Sequence, residues 1–142
     1  MPEYLDLFDP RGPTVAMIGR NGQVHLQGVK WRRPAALLIN GGTRSGKEIL
    51  AYGFKKYRFG EVIGTSTTKA VLAATAFMMH DGSLLLLAVD DVRVDDERLE
   101  GVGVTPTIEV PFQADYSAGA DPQLARAVEV LSADVMARPR QG

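Results

Sequence analysis

The stretch Pro34-Ala-Ala-Leu-Leu-Ile-Asn-Gly-Gly-Thr-Arg-Ser45-Gly-Lys-Glu-Ile-Leu-Ala-Tyr-Gly-Phe54 decides the fold of this chain. An apolar run of strand length bounded by turn residues predicts a buried strand over Pro34 to Ile39. Gly41, Gly42 and Gly46 then allow a sharp turn. Beyond it, Ile49, Leu50, Phe54 and Tyr57 form a roughly helical apolar stripe, with Lys55, Lys56 and Arg58 in the last turn, where the helix dipole favours cations. The predicted helix ends near Gly60. Strand, turn and helix together place Ser45 and its flanking amides at a helix mouth, where unpaired N–H groups can bind a phosphate or an oxyanion.

Working outward, Thr14 to Ile18 and Gln23 to Val29 read as a hairpin around Asn21-Gly22. Residues 1–13 read as a connecting segment, and 14–142 as one α/β core. Glu61 to Gly64 is a short strand leading into the polar turn Thr65-Ser-Thr-Thr-Lys69, and strand–helix–strand order implies a parallel pair. A second hairpin is expected from Ala74–Met79 and Ser83–Val89 around Asp81-Gly82, with Met78 and Met79 as strand packing. Residues 90–98 are acidic and expected to be exposed. A last strand is read at Thr107 to Val110. Asp121-Pro122 signals a helix start, and Leu124, Ala127, Val128, Leu131 and Val135 predict a terminal helix docked on the sheet by that face.

The chain has 142 residues, with 16 Lys plus Arg against 17 Asp plus Glu and a formal charge of −1, which gives no basic patch for nucleic acid. With no cysteine, disulfides, thiolate nucleophiles and cysteine-zinc sites are excluded. His25 and His80 lie far apart in sequence without partners at ligand spacing, so neither a metal nor a cofactor is expected. The apolar runs, such as Leu84 to Val89, are too short to span a bilayer, and no signal-peptide pattern is present.

Two chemistries compete for the turn. Gly41 to Lys47 satisfies most of a phosphate-loop pattern, but Glu48 stands where the magnesium-holding Ser or Thr belongs, and its carboxylate would face the phosphates. This nucleotide-binding reading is the alternative. The other reading is acyl transfer, with Ser45 as nucleophile. Taken without context, Ser45 is a helix-start residue, Lys47 and Lys69 are solvated charges, Glu48 is a first-turn acid favoured by the dipole, and Glu100 is a loop acid.

Ala35 to Ala51 resembles the nucleophile segment of the carboxyl-terminal processing, or tail-specific, serine peptidases, in which a strand ends in Asn, a small-residue turn presents the serine, and Glu-Ile follows three residues on. Glu61-Val-Ile-Gly-Thr-Ser-Thr-Thr68, His80-Asp-Gly-Ser-Leu-Leu-Leu86 and Leu99-Glu-Gly-Val-Gly-Val-Thr-Pro-Thr-Ile-Glu-Val110 resemble three further family segments in the same order, with Thr107 replacing the usual Asp. Asp121-Pro-Gln-Leu124 follows the pattern too. Ordered co-occurrence over residues 34–131 is far more specific than any one motif.

The resemblance implies a crotonase/Clp-protease-like core: a mixed sheet with β-hairpins, a central helix after the Ser45 turn and a C-terminal helix. It implies a serine endopeptidase acting on unstructured or C-terminal polypeptide, with the Ser45 and Gly46 N–H groups as oxyanion donors. In lysine-type members the base falls near Lys69, one residue early here. In the tricorn-core, retinoid-binding-protein-like type an upstream histidine is the base and a glutamate helps organise the site, at the position of Glu100. That type is favoured, and the chain then reads as the C-terminal half of a catalytic core whose histidine lies elsewhere. A homo-oligomer and an exported or periplasmic location are what the resemblance further implies. A non-catalytic binding or assembly domain of the same fold is the remaining alternative.

Overall fold

The computed structural model describes residues 7–8, 15–18, 23–27, 31, 33–111 and 118–137. Its first two strands, β1 (Val15–Ile18) and β2 (Val24–Gln27), pair antiparallel as expected. The Gly19 to Gly22 turn and most of the 1–13 connection lie outside the described residues.

The decisive stretch forms β3 (Ala36–Ile39) and α1 (Gly46–Lys56), and β4 (Glu61–Gly64) returns parallel to β3 with Ala36 opposite Glu61 and Ile39 opposite Gly64. A short strand β9 (Ile108–Glu109) adds parallel to the other edge of β4, giving the order β3-β4-β9. Successive strand residues point to opposite faces, and Val62 and Ile63 are both fully buried, so β4 is covered on both sides. Ala51 and Phe54 of α1 pack with Ile39, Val62 and Val104. Phe8 and Phe59 extend this cluster around Phe54, with ring centroids 5.2 and 6.0 Å away. The second helix, α2 (Pro122–Ala137), also lies on β3 and β4 and buries Gln123 and Ala127. β3 itself is only partly enclosed: Leu38 is 38% exposed.

Parallel and antiparallel pairing occur in separate sheets, which corrects the expectation of one mixed sheet. The hairpin of β5 (Ala73–Met78) and β6 (Leu84–Asp90) forms as read, closed by Met79 N–H to the Ser83 carbonyl and by Asp81 accepting from the Ser83 N–H and hydroxyl. Its side chains depart from expectation. Exposure runs from 43% at Phe77 to 71% at Met78 and Leu86, so Met78 and Met79 are not strand packing. The acidic stretch at 90–98 folds into a further small hairpin, β7 (Arg93–Val94) with β8 (Glu97–Arg98), turning at Asp95 and Asp96. The Tyr57 hydroxyl and the Lys56 ammonium both reach Asp95, at 2.7 and 3.0 Å, and hold its carboxyl below the usual carboxylate range.

Two helix boundaries carry physical lessons. α1 stops at Lys56, before the expected Gly60, because Arg58 takes the left-handed position (φ 56°) and the Arg58 and Phe59 amides bond back to Lys55 and Phe54. Asp121 caps α2, its Oδ1 accepting the Leu124 N–H at 2.9 Å. The apolar stripe of α2 docks only in part: Ala127 is buried as expected. Leu124, Val128 and Val135 are 52–59% exposed, while Gln123, one position round, faces the sheet and donates to the Val110 carbonyl at 2.9 Å.

Candidate active site

The turn between β3 and α1 is held by its own polar groups. Asn40 Oδ1 accepts the Gly42 N–H at 2.8 Å, the Asn40 carbonyl accepts that of Thr43, and Thr43 Oγ1 accepts the Asn40 N–H. Ser45 is the N-cap of α1 at φ 58° and ψ −133°. This is a backbone region that side chains disfavour, and such strain persists only where the surroundings impose it. Ser45 is exposed, and its hydroxyl donates to no described residue. Ser45→Gly should therefore raise stability by about 1 kcal/mol, the released strain less the entropy cost of glycine, and Ser45→Ala should not, as urea denaturation of both variants can establish.

What imposes the strain is the facing segment, Thr67 to Val71. The Ser45 N–H donates to the Ala70 carbonyl at 2.8 Å and to Glu48 Oε2 at 3.2 Å. Glu48 is fully buried, and its two oxygens also accept from the Thr67 hydroxyl, the Lys69 N–H at 2.8 Å and the Ala70 N–H at 2.9 Å. Donors surround this side chain on every side, the pattern a carboxylate requires. The next amide, Val71 N–H, goes to Glu100 Oε2 at 2.6 Å. Three successive amides thus point at two carboxylates, an anion-binding concavity that the protein fills with its own side chains. Thr67 connects it to the strand approach beyond, exchanging bonds with Val104 at 2.9 and 3.1 Å.

Ser45, Lys69 and Glu100 are thereby brought around residues 69–71, although fifty-five positions separate the outer two. No hydrogen bond joins their side chains directly. Lys69 has a left-handed backbone (φ 71°) and an exposed side chain, so the described residues do not supply the desolvation a lysine base needs. Of the two amides expected at the oxyanion, that of Ser45 is committed elsewhere. Gly46 N–H has no acceptor among the described residues. His80 lies in the β5–β6 turn and bonds to none of these groups. Exposed Arg44, Lys47 and Lys69 add positive charge around the turn, which favours a developing oxyanion.

The phosphate-loop reading gains nothing from this geometry. A phosphate cradle needs free amides, and those of Gly42, Thr43, Ser45 and Lys47 already have internal acceptors. Glu48, read in sequence as a first-turn acid favoured by the dipole, is the residue whose role sequence reasoning missed. Its only local signal is the spacing from Ser45, since the cap-to-third-position pattern of Ser and Glu is a capping-box signature.

The family model for peptidase family S41 matches residues 1–110. No curated protein matches the chain. Among solved structures, the tricorn protease matches with a TM-score of 0.66 at 25% identity, over 89% of this chain and 13% of that one. The photosystem II D1 C-terminal processing protease matches with a TM-score of 0.58 at 22% identity, over 92% of this chain and 34% of that one, and shows the likeness of fold.

Proposed function

This chain belongs to peptidase family S41, and we propose that it carries the nucleophile of a serine endopeptidase acting on unstructured or C-terminal polypeptide. The observation that carries the reading is the strained, exposed Ser45 at the mouth of α1, with the Gly46 N–H beside it unoccupied. A crotonase/Clp-protease-like core is part of the same reading, supported by the parallel β3-β4-β9 sheet with a helix following the nucleophile turn.

In this mechanism Ser45 Oγ attacks the scissile carbonyl carbon while a base takes its proton, and the carbonyl π electrons move onto oxygen. Gly46 N–H donates to that oxyanion, assisted by the positive end of α1. Collapse expels the amine, which takes up the proton, and leaves an acyl group on Ser45. Water then attacks the ester and restores the hydroxyl. Glu100 serves as a positioning residue through the Val71 amide. The base is a histidine outside the described residues, in keeping with the exposure of Lys69.

A serine-directed fluorophosphonate tests the assignment. The expected result is one adduct on the peptide containing Ser45, absent in Ser45→Ala. An adduct that survives Ser45→Ala, or no adduct on the wild-type protein, overturns it; the second outcome favours a non-catalytic binding domain of the same fold.

A further inference from the structure

Glu48 is a fully buried charged side chain that accepts the Ser45 N–H. A fully buried carboxylate on the first turn of a helix is costly unless every lone pair is used. Here they are used on groups drawn from three places: the Ser45 amide, the Thr67 hydroxyl, and the amides of Lys69 and Ala70. A first-turn acid needed only for the dipole would remain in water, as Lys47 beside it does.

We infer that Glu48 is a positioning residue for the nucleophile: its carboxylate clamps the Ser45 amide to residues 67–70 and so holds Ser45 at φ 58° and ψ −133°. The inference rests on the reading of Ser45 as nucleophile. Two consequences follow from the geometry. With its own N–H drawn inward to Glu48 and Ala70, Ser45 leaves the Gly46 N–H as the amide that faces outward to substrate. Because the same carboxylate holds Lys69 and Ala70, whose neighbour Val71 is tied to Glu100, a shift of the 67–71 loop reaches Ser45 through one residue. Glu48 never touches substrate.

Glu48→Gln tests this, since it keeps the shape but presents an amide NH2 to donors that need an acceptor. Phe54→Leu, a core change on the same helix, serves as a control for general loss of stability. Fluorophosphonate labelling is followed at several probe concentrations to separate probe affinity from the bond-forming rate, alongside amide hydrogen exchange at Ser45, Lys69 and Ala70. The expected result for Glu48→Gln is a bond-forming rate at least about tenfold lower with probe affinity little changed, and exchange at those three amides at least about tenfold faster, in line with loss of hydrogen bonds to a charged acceptor. Phe54→Leu should keep both the labelling rate and the local exchange pattern. Wild-type labelling and exchange in Glu48→Gln would overturn the inference, as would an equal loss in Phe54→Leu. If the wild-type protein is never labelled, the nucleophile reading fails, and the clamp is judged by exchange alone: unchanged protection in Glu48→Gln overturns it.

Discussion

Gly64→Ala is expected to destabilise the protein by about 3–5 kcal/mol, in the range reserved for a forced backbone change. Gly64 ends β4 at φ 133°, and a Cβ there would lie 1.9 Å from the Ile39 carbonyl oxygen and 3.1 Å from the Gln123 amide. That carbonyl cannot retreat cheaply, because it accepts the Thr65 N–H at 3.0 Å and belongs to the strand that leads into the Ser45 turn. The methyl would therefore part β3 from β4 and lift α2 at Gln123 together. Gly60→Ala, with a Cβ 1.8 Å from the Ala35 carbonyl oxygen, should act similarly at the other end of the pair, whereas Gly41→Ala meets nothing within 4 Å. Urea denaturation of the three variants checks the order. A Gly64→Ala protein as stable as Gly41→Ala would contradict the parallel register at Ile39 and Gly64.

Glu48→Ala should cost about as much, roughly 3–5 kcal/mol, for a different reason. Removing the carboxylate strips the acceptor from the Thr67 hydroxyl and from the Lys69 and Ala70 amides, and leaves the space of a fully buried side chain. Each buried donor without a partner costs about 1–3 kcal/mol, partly recovered where water enters. Glu48→Ala should also melt locally before it melts globally. The segment from Thr67 to Val71 and the first turn of α1 should lose protection from hydrogen exchange, while Phe54, Val62 and Ile39 stay packed. Equal stability of Glu48→Ala and the wild-type protein would show that the hydroxyl and the two amides have other acceptors.

The two variants probe the two parts of the chain that sequence reading treated very differently. Around Ser45, the order of strand, glycine turn and helix was legible because each element has a local cause: an apolar run, turn residues, and an apolar stripe with cations at its end. The same holds for Asp121 as a cap and for Asp81-Gly82 at a hairpin turn. The four ordered motifs were legible for another reason, since they repeat a family's spelling, and the family match over residues 1–110 agrees with them.

What failed to be legible depended on partners remote in sequence. Glu48 has ordinary first-turn spelling, and nothing local says that Thr67, Lys69 and Ala70 will converge on it. The α2 stripe misled for a related reason. A period of about 3.6 residues identifies a face, but the tertiary packing of β3 and β4 buried Ala127 of that stripe together with Gln123 beside it, and left Leu124, Val128 and Val135 more than half exposed. Likewise Met78 and Met79, read as strand packing, are exposed in this structure, as is the run Leu84 to Val89 in the same hairpin.

By itself, then, the sequence determined the main elements, their order and the family, though not the small β7–β8 hairpin, because short-range backbone preferences and motif spelling are local properties. Only the tertiary structure decided that the Ser45 N–H is spent inside the protein, that Glu48 is buried beneath it, and that Glu100, 29 residues beyond Val71, reaches the same loop. Those outcomes follow from which polar groups are enclosed together when β3, β4 and α1 close on the 67–71 segment, and a buried donor must take whatever acceptor the fold brings to it.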